Sequence, residues 1–164
     1  MDLETERLVE QVKFLRPYLS AQQLDVTASA AARGTGKDRS NSDKYYFREL
    51  LSNLVDKITS APVTYQQDGI DDPTVHFHYF KGGSDWYVTE LDKDGGVQQA
   101  FGYAILNGDL QNAELGYISI TELTENGVEL DFHFDKTPLS VIKKSLEDKE
   151  SAQHKKTPEL SFSL

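Results

Sequence analysis

Residues 74–91, TVHFHYFKGGSDWYVTEL, place an alternating run, 74–80, and a second extended run, 85–91, on the two sides of a glycine pair. In an extended chain successive side chains point to opposite faces, so Val75, Phe77 and Tyr79 share one side and His76, His78 and Phe80 the other. Gly82-Gly83 gives the backbone freedom of a tight turn into a second strand over 85–91. Asp94-Gly95-Gly96 then turns the chain into a third strand, 97–106, where Val97, Phe101, Tyr103 and Ile105 share a face. Short glycine-containing connections between alternating runs predict an antiparallel meander. Beyond the polar loop at Asn107-Gly108-Asp109, residues 114–120 form a fourth extended piece. Ser119-Ile120-Thr121-Glu122 matches a capping box, opening a short helix that Asn126-Gly127 stops. A last strand is expected over 128–134, with Leu130, Phe132 and Phe134 inward and Glu129, Asp131 and His133 outward.

Upstream of Pro62 the apolar period is that of a helix. Leu8, Val12, Leu15 and Leu19 fall on one face, and Pro17 predicts a break before a second turn reaching about Val26. Residues 27–42, TASAAARGTGKDRSNS, hold no large apolar side chain and are expected to form a mobile linker. A helix capped by Ser42 or Asp43 follows, with Phe47, Leu50, Leu51, Leu54 and Ile58 as its stripe. At the other end Thr137 is expected to cap a helix with Pro138 at its first position, Leu139, Ile142 and Leu146 facing the core. The fold class is therefore α+β: an antiparallel meander of about four to five strands, one face packed against N-terminal helices, with a closing C-terminal helix. The domain reading is a helical segment 1–61, an acidic α+β domain 62–149 and a flexible tail 150–164.

Charge is distributed unevenly along this order. Residues 62–135 carry fourteen acidic residues and only two basic ones, Lys81 and Lys93, a net of −12. The first 61 residues balance to zero, and the segment from Lys136 onward comes to +2. A field of that sign repels nucleic acid and attracts basic surfaces. The absence of cysteine excludes disulfides and thiolate ligands, and the acidic opening MDLETE is not a secretory signal. No apolar run approaches a membrane span. A soluble cytoplasmic protein is expected.

Several stretches point to a family: Ser84-Asp85-Trp86-Tyr87-Val88-Thr89-Glu90, Ala100-Phe101-Gly102-Tyr103, and Ala113 to Ser119 (AELGYIS) followed by Glu122-Leu123. With Glu129 to Phe134 (ELDFHF) and Thr137-Pro138-Leu139, they resemble a small uncharacterised domain of proteins from conjugative plasmids, integrative elements and phages. The resemblance covers about residues 74–142. It implies a genetic context, since such genes often travel with antirestriction genes, and no catalytic residues.

Two constellations carry candidate chemistry. Asp68, Asp71, Asp72, Asp85, Glu90, Asp92, Asp94, Asp109, Glu114, Glu129, Asp131 and Asp135 could present a surface that a basic, DNA-binding protein accepts in place of phosphates. Because many of them fall in turns, acidic rims are expected in preference to one uniform face. The alternative is a divalent-metal module or metal-dependent hydrolase, in which His76 and His78 on one strand meet Asp131, His133 and Asp135 on another. Gly34-Thr35-Gly36-Lys37 fails as a phosphate loop, since Asp38 stands where Ser or Thr is needed and Ala31 where the first glycine belongs. No cofactor is implied. Tyr79, Phe80, Trp86, Tyr87, Phe101 and Tyr103 read as cross-strand core pairs in preference to base-stacking platforms. The expectation is a non-enzymatic, mobile-element-encoded binding protein that inhibits or sequesters a basic partner such as a nuclease or defence complex, with DNA mimicry as one route. A scaffold for its own element's machinery is the remaining reading.

Overall fold

A computed structural model describes residues 1–34, 41–92 and 99–156. The Asp94-Gly95-Gly96 turn, Lys93, Val97, residues 35–40 and the tail from 157 lie outside the described residues. Helix α1 (Leu3–Leu15) starts at Asp2, whose carboxylate accepts from Thr5 N at 2.8 Å. Pro17 breaks it as expected, in a single 3₁₀ turn over Arg16–Tyr18. Helix α2 (Ala21–Arg33) is capped by Ser20, which accepts from Gln23 N, and helix α3 spans Asn41–Ser60.

Two boundaries differ from expectation. Residues 27–33, expected to open a linker, are the second half of α2. Thr27, Ala30 and Ala31 are buried there, because small side chains let α2 lie close against α3. Arg48 of α3 donates from Nε to Ala31 O at 2.9 Å, satisfying a carbonyl near the helix end. Helix α3 begins ahead of its expected caps, so Ser42 and Asp43 lie in its first turn.

The sheet is the expected meander with one strand added at its edge. Strands β1 (Thr74–Val75), β2 (Phe77–Lys81), β3 (Ser84–Glu90), β4 (Ala100–Ile105) and β5 (Glu114–Ile118) follow in chain order. Helix α4 (Ile120–Glu125) starts at Ser119 as expected, and Gly127 ends it at φ +73°. Strand β6 (Glu129–Leu130) pairs with β2, giving the antiparallel order β5-β4-β3-β2-β6. A separate pair joins β1 to β7 (Thr137–Pro138), and helix α5 (Leu139–Lys156) follows directly.

Three further expectations are corrected here. The last strand stops at Leu130, because Asp131 turns the chain: its Oδ1 accepts from His133 N at 3.0 Å and its carbonyl from Phe134 N. Residues 131–134 therefore do not alternate across a sheet. Thr137 does not cap α5, since Thr137 and Pro138 are used as a strand and the Thr137 hydroxyl donates to Asp135 O. The C-terminal stretch expected to fray from 150 is helical to Lys156.

Both faces of the sheet are covered, where one was expected. Phe77, Tyr79, Val88 and Leu130 pack against Leu15, Leu24, Leu51, Leu54 and Ile58 of the N-terminal helices. On the other face Tyr87, Tyr103 and Ile105 pack with Val75, Leu139 and Ile142, so α5 forms a third layer. Residues 1–61 thus share one core with the sheet. No helix among the described residues is long and apolar enough to cross a membrane.

Candidate functional site

A pocket on the α5 face is built around a register shift. Val88 pairs with Gly102 and Glu90 with Phe101, so Thr89 is an extra residue in β3. A bulge of this kind re-aims the side chain that follows it. Strict alternation would put Glu90 with Trp86 and Val88 on the helix face. The bulge instead aligns it with Phe101, which pairs in turn with Tyr117 of β5. Gly102 opposite the bulge has no alternative: an added Cβ would lie 2.1 Å from the Tyr87 carbonyl oxygen.

Glu90 is 6% exposed and organises the loop that crosses over it. Its Oε2 accepts from Tyr65 N and its Oε1 from Gln67 N, both at 3.1 Å. Gln67 acts as a short strand mimic: its Nε2 donates to Thr74 O and Thr89 O, and its Oε1 accepts from Thr74 N. Tyr65 is held at φ +76°, a strained conformation for a bulky residue that persists only because neighbouring bonds fix it. Its hydroxyl meets that of Tyr117 at 3.0 Å, tying loop to edge strand. That bond, more than the field of Glu90, raises the Tyr117 phenol above its ordinary pKa.

The third wall is the start of α5. Asp72 reaches across to it, accepting from Ser140 N at 2.9 Å and from Ser140 Oγ at 2.6 Å. Those bonds hold its carboxyl below the ordinary aspartate pKa, and a carboxylate at a helix N-terminus also meets the positive end of the macrodipole. Between loop, sheet and helix lies a pocket of about 390 Å³ lined by Tyr65, Ile70, Phe101, Leu115, Tyr117 and Leu139, with Asp68, Asp71, Asp72 and Glu90 among its acids. Lys143 also lines it, with Nζ 4.8 Å from the centroid of the Tyr103 ring.

The twelve expected acidic residues are thus divided. Asp68, Asp71, Asp72 and Glu90 meet at the pocket, and half-buried Asp92 follows β3 at the same end of the sheet. By register Asp85, Glu114 and Glu129 lie toward the opposite end, with Asp109 in the β4–β5 loop, where its carboxylate accepts from Asn112. Asp131 and exposed Asp135 belong to the turn after β6, and Asp94 lies outside the described residues. Asp72, Asp85, Glu90, Asp109 and Asp131 hold internal hydrogen bonds, so the acids do not form one regular row.

The expected meeting of histidines is not formed. His78 sits between two carboxylates, with Nε2 2.7 Å from Asp85 and Nδ1 3.4 Å from Asp131, and its ring stacks on Tyr87 at 4.6 Å. His76 lies in another hollow beside Lys136, where burial and then the charges of Lys136 and Lys57 lower its pKa. His133 faces the Tyr46 hydroxyl at 3.3 Å in a third, next to Asp135 and Lys57. Burial lowers the pKa of Lys57 despite the nearby Asp135 and Asp131, and its ammonium donates to Phe134 O. Among the described residues no group of three or more His, Cys, Asp or Glu side chains is placed to hold a metal ion. The early strand end at Leu130 is the cause, since it removes the alternation that would have aligned Asp131, His133 and Asp135.

Sequence reasoning did not single out Tyr65, Gln67 or Tyr117 as site residues. Tyr65 and Gln67 lie in a stretch without periodicity, and their roles come from bonds to the Glu90 carboxylate, the Tyr117 hydroxyl and the Thr74 and Thr89 backbone. Tyr117 alternates correctly in β5, but nothing local says that its face stays open.

No curated protein and no solved structure matches the chain. The family described as "Protein of unknown function (DUF2958)" matches residues 47–152, from α3 through most of α5, and the chain belongs to that family.

Proposed function

We propose that this protein is a non-enzymatic binding module that sequesters a basic, nucleic-acid-binding partner. The observation that carries the reading is the pocket mouth, where exposed Asp68 and Asp71 stand beside open aromatic rings in the most acidic part of the chain. Charge of one sign steers a partner of the opposite sign and sets the association rate. Tyrosine rings at the centre of such a patch supply contact area at low entropic cost. The acids tied up internally leave rims in place of a phosphate-like ladder, so steering supports the reading better than base-for-base mimicry. The resemblance to domains of conjugative plasmids and phages supports a partner among host nucleases, which would make the protein an anti-defence factor.

The test is capture from a host-cell lysate on the immobilised full chain, with and without duplex DNA as competitor. A nucleic-acid-binding protein should be retained at low salt, displaced by DNA, and lost from Asp68→Lys/Asp71→Lys. It should be kept by Asp25→Lys/Asp56→Lys, which reverses two exposed charges on the N-terminal helices. Capture insensitive to DNA, or equally affected by both pairs, would refute the reading.

A further inference from the structure

The geometry points to the pocket bounded by the 64–73 loop, the ends of β3–β5 and the start of α5 as a receptor for one arginine side chain of the basic partner. The inference rests on the partner reading above and adds the chemical group that is recognised.

Three aromatic rings from three elements surround the opening. Phe101 and Tyr117 meet edge to face, with centroids 5.7 Å apart at 82°, and the Tyr65 hydroxyl closes the set through Tyr117. Tyr65 and Tyr117 remain 59% and 60% exposed, so their rings are available for contact. A cation over such rings is attracted by the ring quadrupole, and arginine does this more often than lysine because its flat guanidinium can also stack.

Glu90 is the second, independent sign. A carboxylate 6% exposed is normally paired with a cation. Here its two oxygens accept from backbone amides only, and among the described residues no lysine or arginine forms an ion pair with it. No cation therefore balances its charge, and it lines the same pocket as exposed Asp68 and Asp71. The loop is fixed in advance by Gln67 and Glu90, so little ordering is required on binding. Lys143 is the one cation in the lining among the described residues, and it lies over Tyr103 near Asp72. An entering arginine meets the aromatic side of the pocket with Asp68 and Asp71 at its rim, away from the Lys143–Asp72 side.

The probe is N-acetyl-arginine amide, titrated into the full chain and followed by NMR. Saturable shifts should concentrate on residues 65–72, Glu90, Phe101 and Tyr117, with a dissociation constant of about a millimolar, as expected of a single-residue fragment. N-acetyl-citrulline amide, of nearly the same shape but neutral, and N-acetyl-lysine amide should each bind at least about tenfold more weakly. Tyr117→Ala and Asp68→Asn/Asp71→Asn should each weaken arginine binding at least fivefold, and the exposed aspartate pair should do so with the melting temperature unchanged. Citrulline or lysine binding as tightly as arginine would overturn the inference, as would shifts scattered over the surface. Charge-dependent capture of a partner without arginine binding would sink this inference alone. Arginine binding without any captured partner would sink the partner reading alone.

Discussion

Single residues decide the site through contacts that have no signature in sequence. Gly102 reads as one more small residue in a strand, yet a methyl group there would press into the Tyr87 carbonyl and the Val88 Cα, neither of which can move aside. Gly102→Ala should cost about 3 kcal/mol or more, read as a lower midpoint in denaturant with an unchanged slope. A change under about 1 kcal/mol would show that the sheet yields at the bulge. His76 carries a pH dependence whose sign follows from its surroundings. Burial first, then Lys136 and Lys57, hold its folded-state pKa below the ordinary 6.5. The unfolded chain therefore takes up the proton first, so the contribution is complete above about pH 6.5 and is lost as pH falls through the folded-state value. The drop in melting temperature between pH 7 and 5 should be smaller in His76→Gln than in the wild type. Equal drops would exclude His76 as the source.

At the scale of elements, periodicity revealed what it physically encodes. The alternation over 77–80 located β2, that within 97–106 located β4, and the Ser119 cap located α4, because each rests on neighbours in sequence. The run 74–80 is not the single strand expected: Val75 of β1 lies in the cluster under α5, Phe77 and Tyr79 of β2 in the opposite one. The failures are all tertiary. Thr89 is bulged because β4 approaches at Gly102, so Glu90 changes faces without any local mark. Asp131 ends β6 by accepting from His133 N, a side-chain bond that competes with the ladder. Ala30 and Ala31 are core residues only because α3 lies against them. The cap of α5 comes from Asp72, sixty-eight residues before Ser140, where sequence pointed to Thr137. Asp72→Ala should lower the melting temperature and loosen the loop, read as faster amide exchange over 66–72. The depressed Asp72 carboxyl stabilises the fold above its ordinary pKa of 3.8, and that stabilisation is lost as pH falls through the lower folded value. Asp72→Asn should therefore flatten the acid limb of stability below about pH 4. An unchanged acid limb would place the titration elsewhere.

The whole molecule is organised as helices, sheet and helix around two clusters that meet across the sheet. Removing residues 1–60 would expose Phe77, Tyr79 and Val88 and take away Leu15, Leu24, Leu51, Leu54 and Ile58. At roughly 1.5–3 kcal/mol for each buried side chain, that loss is comparable to the whole of a typical ~5–15 kcal/mol stability. The fragment 62–149 should therefore show no cooperative melt. A sharp transition would mean that the sheet and α5 fold alone. The family match beginning at residue 47 agrees with the way α3 joins this core.

In the proposed function the pocket mouth, and not acidity in general, engages the basic partner. Its most direct test is the association rate of the captured partner against ionic strength for the wild type, Asp68→Lys/Asp71→Lys and Asp25→Lys/Asp56→Lys. The rate should be at least tenfold lower, with a shallower salt dependence, for the pocket-mouth pair alone. Equal losses in the two variants would contradict it.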